Sequence, residues 1–291
     1  KSIHNQFYLV RNILFELFTQ LPLKYKRFRG IQRALTDMTL HKFTTYSNDA
    51  KLALSLLSRT PISVEDGAYQ RTAKAVWAYG LVGIVWGTLV WAVGLCAITF
   101  NIPDGLAALI ALSTGLIFTG ALHEDGLADC ADGLWGAQEK QRRLEIMKDS
   151  QIGSYGTLAL VVSLLLRWQL IKELMLAEFA FAGLIVTAVL ARAAMPLLMV
   201  YLPHARSSGL SHSVGRPQPK HALIGVGIAA IIALAFAGLI GFAALLCTGC
   251  AALLCSAIAQ RKVSGQTGDI LGATEQVSEI FVLMAIVALL P

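Results

Sequence analysis

The sequence predicts an all-α, polytopic helical membrane protein with about six to seven transmembrane segments, preceded by N-terminal amphipathic helices. Three observations carry this. Of the 291 residues, 56% are hydrophobic and only 14% charged, against about 25% charged in an ordinary soluble domain. Mean hydropathy is +0.63. Uncharged apolar runs of bilayer length recur along the chain, and such runs mark spanning helices.

Residues 1–47 read as a basic extension. They hold eight of the 24 Lys and Arg residues against Glu16 and Asp37, which already equals the net charge of +6. The rest of the chain is neutral, so the surplus belongs to a segment suited to anionic lipid rather than to nucleic acid, for which no binding motif is present. Residues 13–21 predict an interfacial helix. The segment has neither the apolar core nor the small-residue cleavage site of a signal peptide. The absent initiator Met suggests a trimmed start or a fragment. Residues 49–60, DAKLALSLLSRT, have apolar positions at helical spacing and end before Pro61, so they predict an amphipathic surface helix.

Residues 75–100 form the first span, 26 residues without a charge. Asn101, Ile102, Pro103 and Asp104 turn the chain into a second span over 105–122. Residues 156–171 and 179–202 predict two more, interrupted by Arg167 and Arg192. Residues 222–260 run 39 residues without a charge. At 1.5 Å per residue that is roughly twice a bilayer core, so two spans are expected, turning near 238–241. Residues 280–290 form a last, short apolar segment.

Three polar loops lie between these runs, 123–155, 203–221 and 261–279. They carry four, three and two Lys or Arg, whereas the opposite loops carry only Lys172. The positive-inside rule puts all three on the cytoplasmic side. Residues 48–291 therefore read as one integral membrane domain whose motif loops share a face. The five cysteines include a CxxC-like Cys247 and Cys250, but no second pair follows, and packing explains them better than redox or zinc chemistry.

The first loop opens with HEDGLADCADGLWG. Asp125, Asp129 and Asp132 stand at i, i+4 and i+7 and share a face if helical. Like charges so placed need a compensating partner, and hard carboxylate oxygens suit Mg²⁺. A carboxylate left over can take a proton from an attacking hydroxyl. A solvated membrane-edge helix would instead mix Lys with Glu, whereas small residues interleave here. Further along, MKDSQIGSYG places Asp149 and Ser150 to cap a helix whose N-terminus favours phosphate; a plain cap is the alternative. Arg192 inside an apolar run pairs with phosphate or an Asp, or snorkels; Arg167, near its span's end, suits snorkelling as well. Arg206, His204, His212 and Arg216 offer anion-binding groups, or simply mark the cytoplasmic side. In SGQTGDILGATEQVSE the glycines predict a tight turn presenting Asp269.

Taken together and in this order, HEDGLADCADGLWG, MKDSQIGSYG and SGQTGDILGATEQVSE resemble the cobalamin synthase family, the adenosylcobinamide-GDP ribazoletransferases, over about residues 48–290. The resemblance implies Mg²⁺-dependent phosphoryl-group transfer late in cobalamin biosynthesis, at the cytoplasmic (inner) membrane. Adenosylcobinamide-GDP would be the donor and α-ribazole, or its 5′-phosphate, the acceptor. Adenosylcobalamin, or its 5′-phosphate, and GMP would be the products. It implies Asp125, Asp129, Asp132 and Glu124 as metal ligands, and Asp132 or Asp129 as base. It implies Asp149, Ser150, Arg192, Arg206, Gln266, Thr267 and Asp269 as substrate-binding residues. Expected partners are the bilayer, the two substrates and, as an open option, further copies in a homo-oligomer, but no nucleic acid. A CDP-alcohol lipid phosphotransferase would want Ala and Arg where Asp129 and Cys130 stand. A secondary transporter would show related halves and charges at mid-membrane.

Overall fold

The computed structural model describes residues 43–64 and 66–290. The expectations for residues 1–42, the interfacial helix included, fall outside that range. The chain divides into two compact units, Lys1–Ser47 and Asn48–Pro291. In the first, the described residues 43–47 are helical. In the second, helix α1 covers 48–57 and is followed by a run of short helical turns, Asp66–Arg71, Thr72–Ala75 and Val76–Ala78. Then come α2 (Tyr79–Thr99), α3 (Asp104–Thr119), α4 (Leu122–Gly136), α5 (Lys140–Ile146), α6 (Ser154–Met175), α7 (Ala180–Tyr201), α8 (Leu210–Val214), α9 (Pro219–Val263) and α10 (Gly268–Leu289). Among the described residues there is no strand, only an isolated bridge between His204 and Gln266.

Helix α7 is apolar on every side apart from Arg192, and a helix of that kind belongs at the centre of a bundle. It does so here: 94% of its most apolar stretch is buried, against 17% for α9. Helix α2 meets α7 through glycines. A Cβ on Gly83 or Gly87 would run into the backbone of residues 184–189, so the two helices pack with their backbones nearly in contact. Trp86 fills the adjoining space against Gly115 of α3.

Helix α9 spans 45 residues but breaks at Gly238, whose φ of 50° suits glycine. A Cβ on Gly241 would strike the Ala233 carbonyl, so the arms fold back on each other, as the length of the apolar run predicts. Among the described residues, four helical stretches are long and apolar enough to cross a membrane, or five if the bent pair α3–α4 counts as one. Helix α6 is long enough at 22 residues, but Arg167, Lys172 and Glu173 lower its hydropathy.

The polar loops differ from expectation. Residues 123–136 are helical as α4, and α10 begins at Gly268 inside the third motif. Thr274, Glu275, Gln276, Ser278 and Glu279 are all buried. The physical reason is pairing: Glu275, Gln276 and Glu279 meet partners on α4, α6 and α7, and Thr274 donates to the Ile270 carbonyl of its own helix, so the segment enters the bundle rather than forming a solvated loop.

Candidate functional site

Helix α4 starts at a left-handed turn, Gly120 with φ 64° and Ala121 with φ 56°, and leaves α3 at 86°. This sharp bend sets the acidic helix nearly perpendicular to α3. Its three aspartates share a face but not an environment.

Asp132 is buried. Its Oδ2 accepts the Gly153 N–H at 2.7 Å and its Oδ1 the Gly156 N–H at 2.9 Å. The free N–H groups at the start of α6 thus find their acceptor on another helix. A Cβ at Gly153 or Gly156 would collide with this carboxylate, which explains the glycine spacing in QIGSYG. Asp132, expected as metal ligand and base, has both oxygens engaged in holding α6.

Asp125 is exposed and Asp129 half-buried. They border a polar cleft with Lys148, Asp149 and Ser150. Asp149 accepts the Gln151 N–H at 3.1 Å, and both Asp149 and Ser150 are exposed at the cleft. Asp269 approaches from α10, because Gly126 lies so close that a Cβ there would sit 2.8 Å from the Asp269 carbonyl. The Asp269 Oδ2 accepts from Arg206 Nη2 and from Thr267 Oγ1, each at 3.1 Å. Thr267 also caps α10 by accepting the Ile270 N–H at 3.3 Å.

Gln266 belongs to the scaffold. Its Oε1 accepts from Ser211 at 2.5 Å and its Nε2 meets His204 Nδ1 at 3.0 Å. Backbone bonds between Gln266 and both Pro203 and Ala205 zip the second and third motif loops together. His204 is held below its ordinary pKa by partial burial and by neighbouring His212 and Arg216, which keeps its Nδ1 free to accept from Gln266.

Glu124, expected beside the metal, and Arg192, expected on substrate, both lie in a buried ionic network. Arg167 Nη1 donates to Glu124 at 2.7 Å and to Gln276 at 2.7 Å, and its Nε donates to Glu279 at 3.0 Å. Arg192 Nη1 pairs with Glu275 at 3.0 Å, and its guanidinium lies 5.3 Å from the Trp86 ring centre. His123 Nδ1 faces the other Glu275 oxygen at 3.5 Å. Sequence reasoning missed Glu275, Gln276, Glu279 and His123. The available signal was the pair of arginines inside apolar runs, which demand buried partners, together with the i, i+4 spacing of Glu275 and Glu279.

Half-burial and the nearby Asp125, Asp269 and Asp132 raise the Asp129 carboxyl to about 7, against the opposing pull of Arg206. Among the described residues no three metal-ligating side chains converge closely enough to hold an ion. The donor chemistry nonetheless fits a hard divalent cation: Asp125, Asp129 and Asp269 are oxygen ligands whose mutual repulsion a cation would relieve.

A family profile described as Cobalamin-5-phosphate synthase matches residues 49–287. The chain is similar to the adenosylcobinamide-GDP ribazoletransferase of Bradyrhizobium diazoefficiens, with 38% identity over 82% of this chain and 93% of the relative. It is also similar to the ribazoletransferases of Mesorhizobium japonicum (39%, over 81% of this chain and 92% of the relative) and Azorhizobium caulinodans (40%, over 82% and 94%). No solved structure matches. Matching nearly all of the chain from the first amphipathic helix onward, the profile and these relatives establish that the chain belongs to the cobalamin-5-phosphate synthase family.

Proposed function

We propose that the protein is an adenosylcobinamide-GDP ribazoletransferase of the cytoplasmic membrane, with the cleft of Asp125 and Asp129, and Asp269 beside it, facing the cytoplasm. The observation that carries this reading is the group of mutually repelling carboxylates, Asp125, Asp129 and Asp269, in a chain so similar to enzymes of that name. The hydroxyl of α-ribazole, or of its 5′-phosphate, attacks the phosphorus attached to the cobinamide arm. A new O–P bond forms, the P–O bond to GMP breaks, and the hydroxyl proton passes to a carboxylate. Asp129 suits that last role. Its affinity for a proton is already raised, which is what a base working near neutrality needs, and unlike Asp132 it faces the cleft. Mg²⁺ would be met by Asp125 and Asp269, with Asp129 left to take the proton, and would neutralise phosphate charge. Arg206, tethered by Asp269, is placed to meet phosphate oxygens. Asp149 and Ser150 line the opposite wall of the cleft.

The test is GMP release from adenosylcobinamide-GDP by protein in liposomes, with α-ribazole and Mg²⁺ varied independently. Release should require both. Asp125→Asn and Asp129→Asn should each lower it by about 100-fold or more while melting as the wild type does. Release from the wild type that ignores the acceptor, or full activity in both variants, would refute the proposal.

A further inference from the structure

A second space opens on the other side of Asp125. It lies between the start of α2, the end of α7, the short helix α8 and the start of α10. Its wall is apolar: Tyr79, Met195, Met199 and Leu271 are buried there, joined by Leu210 and Val214 from α8. Its polar edge consists of His123, Asp125, Arg206 and Asp269. Two of these hold unused hydrogen-bonding capacity. The His123 ring is 2% exposed and its Nε2 has no partner. Because Nδ1 faces the Glu275 carboxylate, the proton is assigned to Nδ1 and Nε2 is left an acceptor. Arg206 uses only Nη2 on Asp269, while its Nε and Nη1 are buried without a partner. Unsatisfied buried groups of this kind are uncommon and call for an explanation.

We infer that this cavity seats the acceptor nucleoside, its apolar wall taking the aromatic base and its polar edge the ribose and phosphate. The inference rests on the ribazoletransferase reading above. The chemistry of the two substrates separates the two spaces. A corrinoid is far too large for this cavity, and a guanine would need several hydrogen-bond partners that an apolar wall lacks. A dimethylbenzimidazole presents two methyl groups and a flat hydrocarbon edge, which methionine side chains accommodate well. His123 Nε2 accepts from a ribose hydroxyl, and the free Arg206 nitrogens donate to the phosphate of a phosphorylated acceptor. Asp125 borders both this cavity and the polar cleft. An acceptor hydroxyl at the mouth therefore meets the donor phosphate where the carboxylates gather.

The test uses full-length protein in nanodiscs and two cavity-filling variants from separate helices, Met199→Trp and Leu210→Trp, so that one folding failure leaves a second probe. KM is measured separately for α-ribazole and for adenosylcobinamide-GDP, with a parallel series using the riboside of unsubstituted benzimidazole. At least one folded variant should raise KM for α-ribazole tenfold or more and leave the donor KM within twofold. The wild type should favour the dimethylated base by about tenfold, as apolar pockets discriminate methyl groups, and filling the cavity should erase that preference. A rise in donor KM alone, or no change in either KM, would overturn the inference, the second result marking a lipid-filled space. A wild type that transfers to no acceptor refutes the ribazoletransferase reading instead, so the two failures are told apart.

Discussion

Glu124 and Asp125 are adjacent on α4, yet their surroundings are opposite. Glu124 turns inward to a guanidinium at 2.7 Å and an amide at 3.1 Å. Asp125 turns outward, exposed, beside Asp129. The inward region joins two arginines to Glu124, Glu275 and Glu279, all buried in the bundle. In the outward region Asp269 pairs with Arg206 at 3.1 Å, while Asp125, Asp129 and Asp269 repel one another. The difference teaches where a ligand can act. Charges that neutralise one another across helices hold the bundle together, whereas charges left in mutual repulsion supply free energy to whatever cation or phosphate complex relieves it.

The comparison can be broken most forcefully at Arg167. Arg167→Met leaves Glu124 and Glu279 buried without their partner, and uncompensated charges of that kind destabilise by about 3–5 kcal/mol. Thermal unfolding in detergent should register the loss, and if the variant melts with the wild type, the network is not what holds α4 to α6 and α10. A smaller effect is expected at Asp132. Asp132→Ala strips acceptors from two N–H groups at the start of α6, a loss of about 1–3 kcal/mol. Asp132→Asn, which keeps one acceptor oxygen, should lose less. Equal melting of wild type and Asp132→Ala would move Asp132 from the scaffold to the cleft.

The smallest effect sharpens the outward side. Asp129 has its pKa raised to about 7 from an ordinary 3.8. A raised folded-state pKa means that the folded protein holds this proton more tightly than the unfolded chain. The contribution is complete below pH 4 and is lost as pH rises through 7. Without divalent metal, the melting temperature should therefore fall between pH 5 and 8 by more in the wild type than in Asp129→Asn. Identical slopes would show that burial and the neighbouring carboxylates do not raise the Asp129 pKa.

Much of this was legible in the chain. The apolar run over 179–202 became α7 to within a residue at each end, and the run over 75–100 contains α2 after a short irregular start, because hydrophobic length is a local property. The turn predicted near 238–241 falls at Gly238 for the same reason. The third motif misled: SGQTGDILGATEQVSE is rich in polar residues and reads as loop, but past Gly268 it is a buried helix. Local polarity cannot reveal that partners wait on other helices.

The sequence by itself determined the all-α membrane class, the longest apolar helices, the acidic spacing and the family resemblance. Each depends on residue types within a few turns of one another or on motifs read in order. Only the tertiary structure decided which acids are free. Arg167 reaches Glu124 across 43 positions and Glu279 across 112, and Asp132 finds Gly153 and Gly156 across 21 and 24. Whether a carboxylate is scaffold or site depends on what packing brings within about 3 Å of its oxygens, and that distance is set by the fold of the whole bundle.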